Sequence, residues 1–405
     1  MWSKAVKPLR SLAIALCAFF PASCGEPGIE TERGDPDRDW QVLSAVDSIW
    51  INEGEDAYIG DPFNMVLVQG ARGAGFEEIW VSDIFSKSLL HFDGDGEFVK
   101  RVGSPGPGPE EFSQPYLMFR TDDGQVAAND ARQYSLKWFD AETGALNATL
   151  RYDIGMIGQS VPVTRERESE PPLYVFPLLD TETQTSLAAV DPERGTIERF
   201  GELTERHREA PARNAIWFTA FFGVGALVEL ESETVLTVFG GDETLLVHDL
   251  EERTSRELGA VPVRFRRGVD GDCVLRGHHE DLSDCGSPFE AYSSMWGAWA
   301  LNDGRVVIAH LDTVDVGGPG RTLLQAQSFV TILDPSTDEA CVDLEVPVGE
   351  EVRAIFTVQD NDLYALDRRL PGTHTESWLL RFELPARGDC PAEHRVEGWL
   401  ADADP

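Results

Sequence analysis

The chain is poor in positive charge. Lys and Arg number 34 against 71 Asp and Glu, so its 405 residues carry a formal charge of −37. Such a field repels phosphate backbones and anionic headgroups, which argues against nucleic acid and acidic lipid surfaces as partners. Cysteine is scarce, with six in all. Beyond Phe20 no apolar run is long enough to span a bilayer. G-x-S-x-G, H-E-x-x-H, C-x-x-C and phosphate-loop motifs are all missing. The chain therefore carries no local signature of a hydrolase elbow, a zinc protease, a dithiol oxidoreductase or a nucleotidase.

What is present begins with a leader. Lys4, Lys7 and Arg10 precede SLAIALCAFF, an apolar run of signal-peptide length. Ala22 and Ser23 then stand before Cys24, which resembles a bacterial lipobox. That resemblance implies cleavage after residue 23, lipidation of Cys24 and an address in the cell envelope, at the outer membrane, cell surface or periplasm. Ordinary secretion is the alternative. Residues 24–39 are charged and rich in Gly and Pro, which predicts a flexible tether. Residues 40–400 are expected to form one domain, and 401–405 a tail.

The domain is repetitive. An acid follows an apolar run, then a polar turn, then a second run, as in LLHFDGDGEFV at Asp93 and LKWFDAETGAL at Asp140. Further copies stand at Asp191, Asp249, Asp334 and Glu383. Such turns between β-rich runs are hairpin signals. Each hairpin has another strand pair upstream, so each unit is a four-stranded meander. The copies lie 47, 51, 58, 85 and 49 residues apart. Four short strands with turns need roughly 40–50 residues, so the two long intervals hold insertions. Six units predict an all-β, six-bladed β-propeller, whose radial packing protects sheet edges. The last blade is expected to be closed by an outer strand from WQVLSAVDSIWI or from EHRVEGWLA, and the pattern does not choose between them.

Phe112-x-x-Pro115, Asp123-Gly124-x-Val126, Asn129-Asp130 and Leu136-x-x-Phe139-Asp140 together resemble an NHL-type repeat. The preceding GSPGPGPEEF is similar to the Gly/Pro loop of bacterial six-bladed propeller proteins, many of them lipoproteins without an assigned role. The resemblance implies the fold; it assigns no function, because propellers host both binders and enzymes.

In a meander, the turns a–b and c–d leave one end of each blade, while b–c and d–a leave the other. Nearly all the long connections fall in the second set: 103–115, 201–215 and 259–292 as d–a, with 310–327 and 367–377 as b–c. Length gathered at one end predicts a binding face. Two of these loops hold arginines, Arg206, Arg208 and Arg213 in one, Arg264 and Arg267 in the next. Guanidinium groups suit carboxylates and phosphates, so these five are candidate ligand-binding residues. The competing reading is internal pairing with acids such as Glu205, Glu209, Asp270 and Asp272.

With Cys24 and the leader set aside, Cys273, Cys285, Cys341 and Cys390 remain. An even number in an exported chain predicts disulfides. Cys273 and Cys285 close one short loop, and Cys341 with Cys390 follows by elimination, each seven residues after its hairpin acid and so at comparable outer places in adjacent blades. His278, His279, Glu280 and Asp281 do not follow a metal-ligand spacing, and Asp93-Gly-Asp95-Gly-Glu97 reads as a hairpin rather than a calcium loop.

These features favour a monomeric, membrane-tethered binding module for an envelope protein, peptide or glycan, working through its long-loop face. Two alternatives stand beside it: a hydrolase or lactonase using a divalent cation at the channel mouth, and a structural assembly lipoprotein. The sequence requires no cofactor and designates no catalytic residue. An apolar, aromatic patch on the loop face would favour the binding or assembly readings; Trp217, Trp296 and Trp299 are candidates, unless they wedge between blades.

Overall fold

The computed structural model describes residues 42–400, apart from 55–56, 71–74, 122–123, 153–160, 164–172, 181–182, 192–193, 205–224, 232, 240–243, 263–290, 316–323, 349–353 and 370–374. The leader, Cys24, the tether and the tail 401–405 lie outside these residues, as does the Cys273–Cys285 loop.

The first strand, β1 (Ala45–Ile51), belongs to the last blade. Blade 1 is β2 (Pro62–Gln69), β3 (Phe76–Asp83), β4 (Ser88–Asp93) and β5 (Phe98–Val102). A short parallel pair, β6 (Ser104–Pro105) and β7 (Glu111–Phe112), sits in the loop that follows. Blade 2 is β8 (Pro115–Arg120), β9 (Gln125–Asp130), β10 (Ser135–Asp140) and β11 (Leu146–Arg151). Blade 3 is β12 (Val161–Val163), β13 (Leu173–Asp180), β14 (Thr185–Asp191) and β15 (Thr196–Glu202). Blade 4 is β16 (Gly225–Glu231), β17 (Thr234–Phe239), β18 (Thr244–Asp249) and β19 (Thr254–Ala260). Blade 5 is β20 (Ala291–Ala300), β21 (Val306–Asp315), β22 (Leu324–Asp334) and β23 (Glu339–Val346). Blade 6 takes β24 (Ile355–Gln359), β25 (Asp362–Arg369) and β26 (Glu376–Glu383) from the C-terminal part of the chain. The last strand, β27 (Arg395–Glu397), follows a single 3-10 turn.

All six sheets are antiparallel meanders, so the six-bladed propeller expected from the repeats is the fold. The first strands touch their counterparts in neighbouring blades, β2 against β8 and β24, β16 against β12 and β20. They therefore form the inner ring. The core lies between blades, because each sheet is apolar on both faces. Ile79, Val81, Leu90 and Phe92 of blade 1 pack with Ile355, Leu366 and Leu379 of blade 6. On the opposite face, Trp80 and Leu89 pack with Val126, Ala128 and Phe139 of blade 2. Alternation along one strand thus feeds two cores, as the period-2 side-chain direction of a strand demands.

Closure resolves the ambiguity left by the two terminal segments. β1 pairs with β26 over Ala45–Ile51 and is the outer strand of blade 6. The C-terminal segment does something else. β27 adds a fifth strand to blade 5 by pairing with β23. Trp399 then packs into the core between blades 4 and 5, and Leu400 bridges Gly259 of blade 4.

Cys341 and Cys390 are joined, with Cα atoms 5.6 Å apart. The expected geometry of this pair needs correction, however. Cys390 does not occupy an outer strand of blade 6, because β1 fills that place. The chain instead folds back after β26 onto blade 5, which brings Cys390 to β23.

Two expected loops also shrink. Residues 310–315 and 324–327 belong to β21 and β22, which run ten and eleven residues and pair as far as Asp315 with Leu324. β25 and β26 likewise absorb the ends of 367–377. In both places the strand pairing simply runs on past the expected loop boundary, from His310–Phe329 to Asp315–Leu324 and from Asp367–Trp378 to Arg369–Glu376.

Candidate functional site

The face bearing the b–c and d–a connections is built on a repeated turn. In blades 1 to 3 the second strand ends in Asp, and five residues later the third strand begins: DIFSKS from Asp83, DARQYS from Asp130, DTETQT from Asp180. Each carboxylate accepts the N–H three residues on, from Ser86 (2.8 Å), Gln133 (3.1 Å) and Thr183 (3.1 Å). This is the side-chain mimicry of a turn that Asp is suited to. The fourth turn residue is left-handed in each case, Lys87 (φ 54°), Tyr134 (φ 50°) and Gln184 (φ 59°).

The first two of these aspartates also anchor the connection entering their blade. Asp83 accepts from the N–H groups of Gly60 and Asp61, and Asp130 from those of Ser113 and Gln114. One side chain therefore fixes a b–c turn and a d–a connection together. The sequence marked Asp130 only as part of a repeat; the recurrence of Asp five residues before a Ser or Thr at the next strand was the signal for this role.

The Gly/Pro loop 103–114 is ordered from within. The N–H of Gly108 donates to the Glu111 carboxylate (2.7 Å), and that of Gly106 to the carbonyl of Phe112 (3.1 Å). A side chain on Gly106 would meet the Glu111 carboxylate at 2.0 Å and displace it from Gly108. Gln133 reaches in from the b–c turn and donates to the carbonyl of Gly106 (2.7 Å). Beneath it Lys137, 1% exposed, donates to the Glu111 carbonyl, lies 3.7 Å from Asp130 and stands over the Phe112 ring at 4.8 Å. Burial pushes its pKa down, against the pull of Asp130. Pro105, Pro107 and Pro109 are left on the surface of this braced loop.

Around it stand exposed aromatic rings. Phe85 is 69% exposed in the b–c turn of blade 1, and Tyr134 49% exposed at the matching turn of blade 2. Tyr58, 48% exposed in the connection from β1 to β2, meets Phe85 edge-on at 6.1 Å. Tyr134 meets Tyr152 at 6.2 Å. These aromatics were not singled out by sequence reasoning, since only the closed ring shows that separate turns share one face.

The sequence candidates fare differently. Arg206, Arg208, Arg213, Arg264 and Arg267 lie outside the described residues, as do Trp217, Cys273, Cys285 and the His278–Asp281 run. Trp299 is partly buried against the core between blades 5 and 6, so it is a packing residue. The c–d acids are turn caps: Asp93 accepts from Asp95 and Glu97, Asp140 from Thr143, Asp191 from Arg194, Asp249 from Glu251 and Glu252, and Asp334 from Ser336. No cluster of three or more His, Cys, Asp or Glu able to hold a metal occurs among the described residues.

Three buried histidines sit within blades. His91 is stacked on Trp80 at 4.2 Å with rings parallel, and neither ring nitrogen has a hydrogen-bond partner among the described residues. His248 lies between Thr237 (2.9 Å) and Ser255 (2.8 Å). Burial lowers both to about 4, so both are neutral. His310 lies 3.3 Å from Asp343, a left-handed residue (φ 53°) at the bulge between β22 and β23. All three pack inside or between sheets, away from the loop face.

Comparison with known proteins agrees with the architecture. A family model described as a 6-bladed beta-propeller matches residues 74–169. No curated protein matches the sequence. Among solved structures, a DUF4221-family protein of Bacteroides vulgatus ATCC 8482 is similar at a TM-score of 0.55 and 10% identity, covering 88% of this chain and 98% of that one. A protein of Bacteroides fragilis NCTC 9343 described as exported is similar at a TM-score of 0.53 and 11% identity, covering 85% and 96%. At such identities the likeness is one of fold. Among the described residues, no helix is long and apolar enough to cross a membrane.

Proposed function

We propose that the protein is an extracytoplasmic propeller, tethered through a lipidated Cys24, that binds a protein or peptide partner through its b–c and d–a face. The observation that carries this reading is the exposed aromatic set Tyr58, Phe85 and Tyr134 beside the braced Gly/Pro loop. Exposed aromatic rings on a rigid support are the composition of interface anchors, because they bury large area at low entropic cost. Three surface prolines on a loop already held by Glu111, Gln133 and Lys137 lower that cost further. The leader supports export, and one structurally similar protein is described as exported. A peptide or protein is favoured over a glycan because the rings are spread over two blades and a connection rather than gathered in one cleft. The arginines of the two long loops would extend the surface toward acidic groups of the partner.

The test compares residues 40–405 with a Phe85→Ser/Tyr134→Ser variant as bait in native envelope extract. A partner captured by the parent and lost at least tenfold by the variant supports the reading, this being the scale of a removed aromatic anchor of about 1.4 kcal/mol or more. Equal capture by both baits would refute it. Globomycin-sensitive processing and labelling of Cys24 with a clickable fatty acid tests the tether, and an unlabelled Cys24→Ser variant is the control.

A further inference from the structure

β1 follows closely on the segment that would tether the chain, and its outward face is apolar. Seven large apolar side chains stand exposed among the described residues, and three of them fall within nine positions here: Val42 (47%), Val46 (46%) and Trp50 (49%). Three more, Tyr58, Phe85 and Tyr134, form the aromatic set of the loop face. Exposed apolar side chains gathered in one place mark an interaction surface. We propose that the outer face of β1 is a membrane-contact strip, with Val42, Val46 and Trp50 resting at the headgroup level of a zwitterionic bilayer. The inference rests on the reading of Cys24 as the lipidated residue.

Register explains why these side chains are outside. β1 is the last strand of its sheet, so no strand covers its far edge among the described residues. Ile51 lies in the core shared with blade 1, and Ile49 packs against it. Trp50 points to the other face, as alternation demands, and stands opposite Trp378. Ser48 and Ala45 continue that face opposite Leu380 and Phe382, and both are exposed. Val46 is the extra residue where the register shifts between Ala45 and Asp47. Asp47, the one charged residue between Trp40 and Ile51, stands opposite Arg381 on the blade 1 face. The strip is therefore uncharged in a chain that is 26% charged.

What covers the strip follows from where the chain enters it. Residues 25–41 separate Cys24 from Val42, a stretch of 17 residues. A coil of that length spans about 20–25 Å on average, whereas a compact domain the size of residues 40–400 is roughly 50 Å across. An anchor at Cys24 therefore keeps the rim at β1 nearer the bilayer than the far rim. Tryptophan suits the headgroup level, because its ring is apolar and its N–H needs a polar neighbour. The open edge of β1 carries backbone groups that need hydration, so the contact is shallow. No Lys or Arg stands between Arg38 and Arg72, so the strip has no cation for anionic headgroups, and the charge of −37 opposes them.

Residues 25–405, carrying Trp40→Phe and an N-terminal hexahistidine, are held on phosphatidylcholine vesicles by a nickel-chelating lipid. That attachment stands in for the acyl chains, so the measurement does not depend on lipidation. The readout is quenching of tryptophan emission by phosphatidylcholine brominated near the headgroup. We expect quenching in this parent and its loss in Trp50→Phe. Val42→Ser/Val46→Ser, which keeps the reporter ring, should reduce it about twofold or more, since such contact scales with buried apolar area. No quenching, or quenching unchanged by Trp50→Phe or by the double variant, would overturn the proposal. Quenching that strengthens when phosphatidylglycerol replaces part of the phosphatidylcholine would overturn it too, as an ionic contact. So would self-association of the unattached chain that the double variant abolishes, since the strip would then belong to a second copy. Labelling of Cys24 separates the two readings. A labelled Cys24 without quenching leaves an anchored chain whose strip is clear of the bilayer; quenching without a label leaves a lipid-seeking strip and no anchor.

Discussion

A single buried histidine ties the stability of this fold to pH. His91 stacks on Trp80, is 7% exposed and finds no hydrogen-bond partner among the described residues. Desolvation is the main cause of its low pKa of about 4, opposed by Glu78 and Asp93 and reinforced by Lys100 and Arg120. In the unfolded chain the ring titrates near 6.5. The folded value is the lower one, so the stabilisation is complete above pH 6.5 and is lost as pH falls from there toward 4. At about 1.4 kcal/mol per pH unit the loss reaches roughly 3 kcal/mol. His91→Phe keeps a ring on Trp80 and removes the proton site. Its acid-unfolding midpoint should therefore lie below the parent's, with stability at pH 8 within about 1 kcal/mol of it. Coincident acid transitions would show that His91 is solvated as it titrates. Glycine offers a sharper residue-scale contrast. Gly96 has φ 86°, and a side chain there would meet the Trp50 carbonyl at 2.2 Å, whereas one on Gly144 (φ 74°) meets only Val102 at 3.2 Å. Both alanine variants pay for a left-handed backbone, about 1 kcal/mol, but Gly96→Ala must also displace the closing strand. Chemical denaturation should show Gly96→Ala losing at least twice what Gly144→Ala loses; equal losses would mean that Trp50 yields freely.

The elements divide into those a sequence pattern can place and those it cannot. Six acids after apolar runs marked six hairpins because Asp caps the turn within a few residues, as Asp93 and Asp140 do. That interaction is local, so it leaves a local signature. Closure is not local. β1 pairs with β26 across the whole length of the chain, Leu43 donates to the Glu345 carbonyl of blade 5, and Asn52 donates to the Gly96 carbonyl of blade 1. WQVLSAVDSIWI and EHRVEGWLA alternate in similar ways, so only the folded ring distinguishes the strand that closes blade 6 from the one added to blade 5. The same reasoning explains the misplaced Cys390: its spacing from Glu383 mimics a fourth strand, but that edge was already taken. The exposed aromatics were invisible for a related reason, since Phe85 and Tyr134 become neighbours in function only when two turns project from one face. Parity along β1 gives a direct check on closure. Ile51 is 1% exposed in the core shared by blades 6 and 1, while Trp50, one residue away, is 49% exposed. Ile51→Ala should cost about 2–4 kcal/mol and Trp50→Ser under ~1 kcal/mol. Equal costs in urea unfolding would mean that β1 does not hold the register described.

For the molecule as a whole, the question is whether charge holds the ring together or strains it. The described ion pairs include cross-strand contacts at the surface such as Arg199–Asp180 (3.0 Å) and Arg381–Asp362 (3.0 Å). Pairs of this exposure contribute about 0–1 kcal/mol each, and salt weakens them. Against them stands an imbalance that no arrangement of pairs can remove. With 71 acids and 34 bases, pairing every base with one acid still leaves 37 acids over. Their mutual repulsion is greater in the folded ring than in the expanded chain, and salt weakens that too. The two effects oppose each other, and the numbers favour repulsion: the pairs are short-ranged contacts, whereas surplus acids interact with many neighbours out to about 10 Å at 0.1 M salt. The thermal midpoint should therefore rise between 0.02 and 0.5 M NaCl, by about 5 °C or more. Choline chloride at equal ionic strength separates screening from specific cation binding. A matching rise in both salts makes the effect one of net charge; a rise in NaCl alone would mean that particular carboxylates hold sodium. A midpoint that stays flat or falls would mean that surface pairing outweighs the surplus, and that the acidic residues are arranged against their own repulsion more fully than the described pairs show.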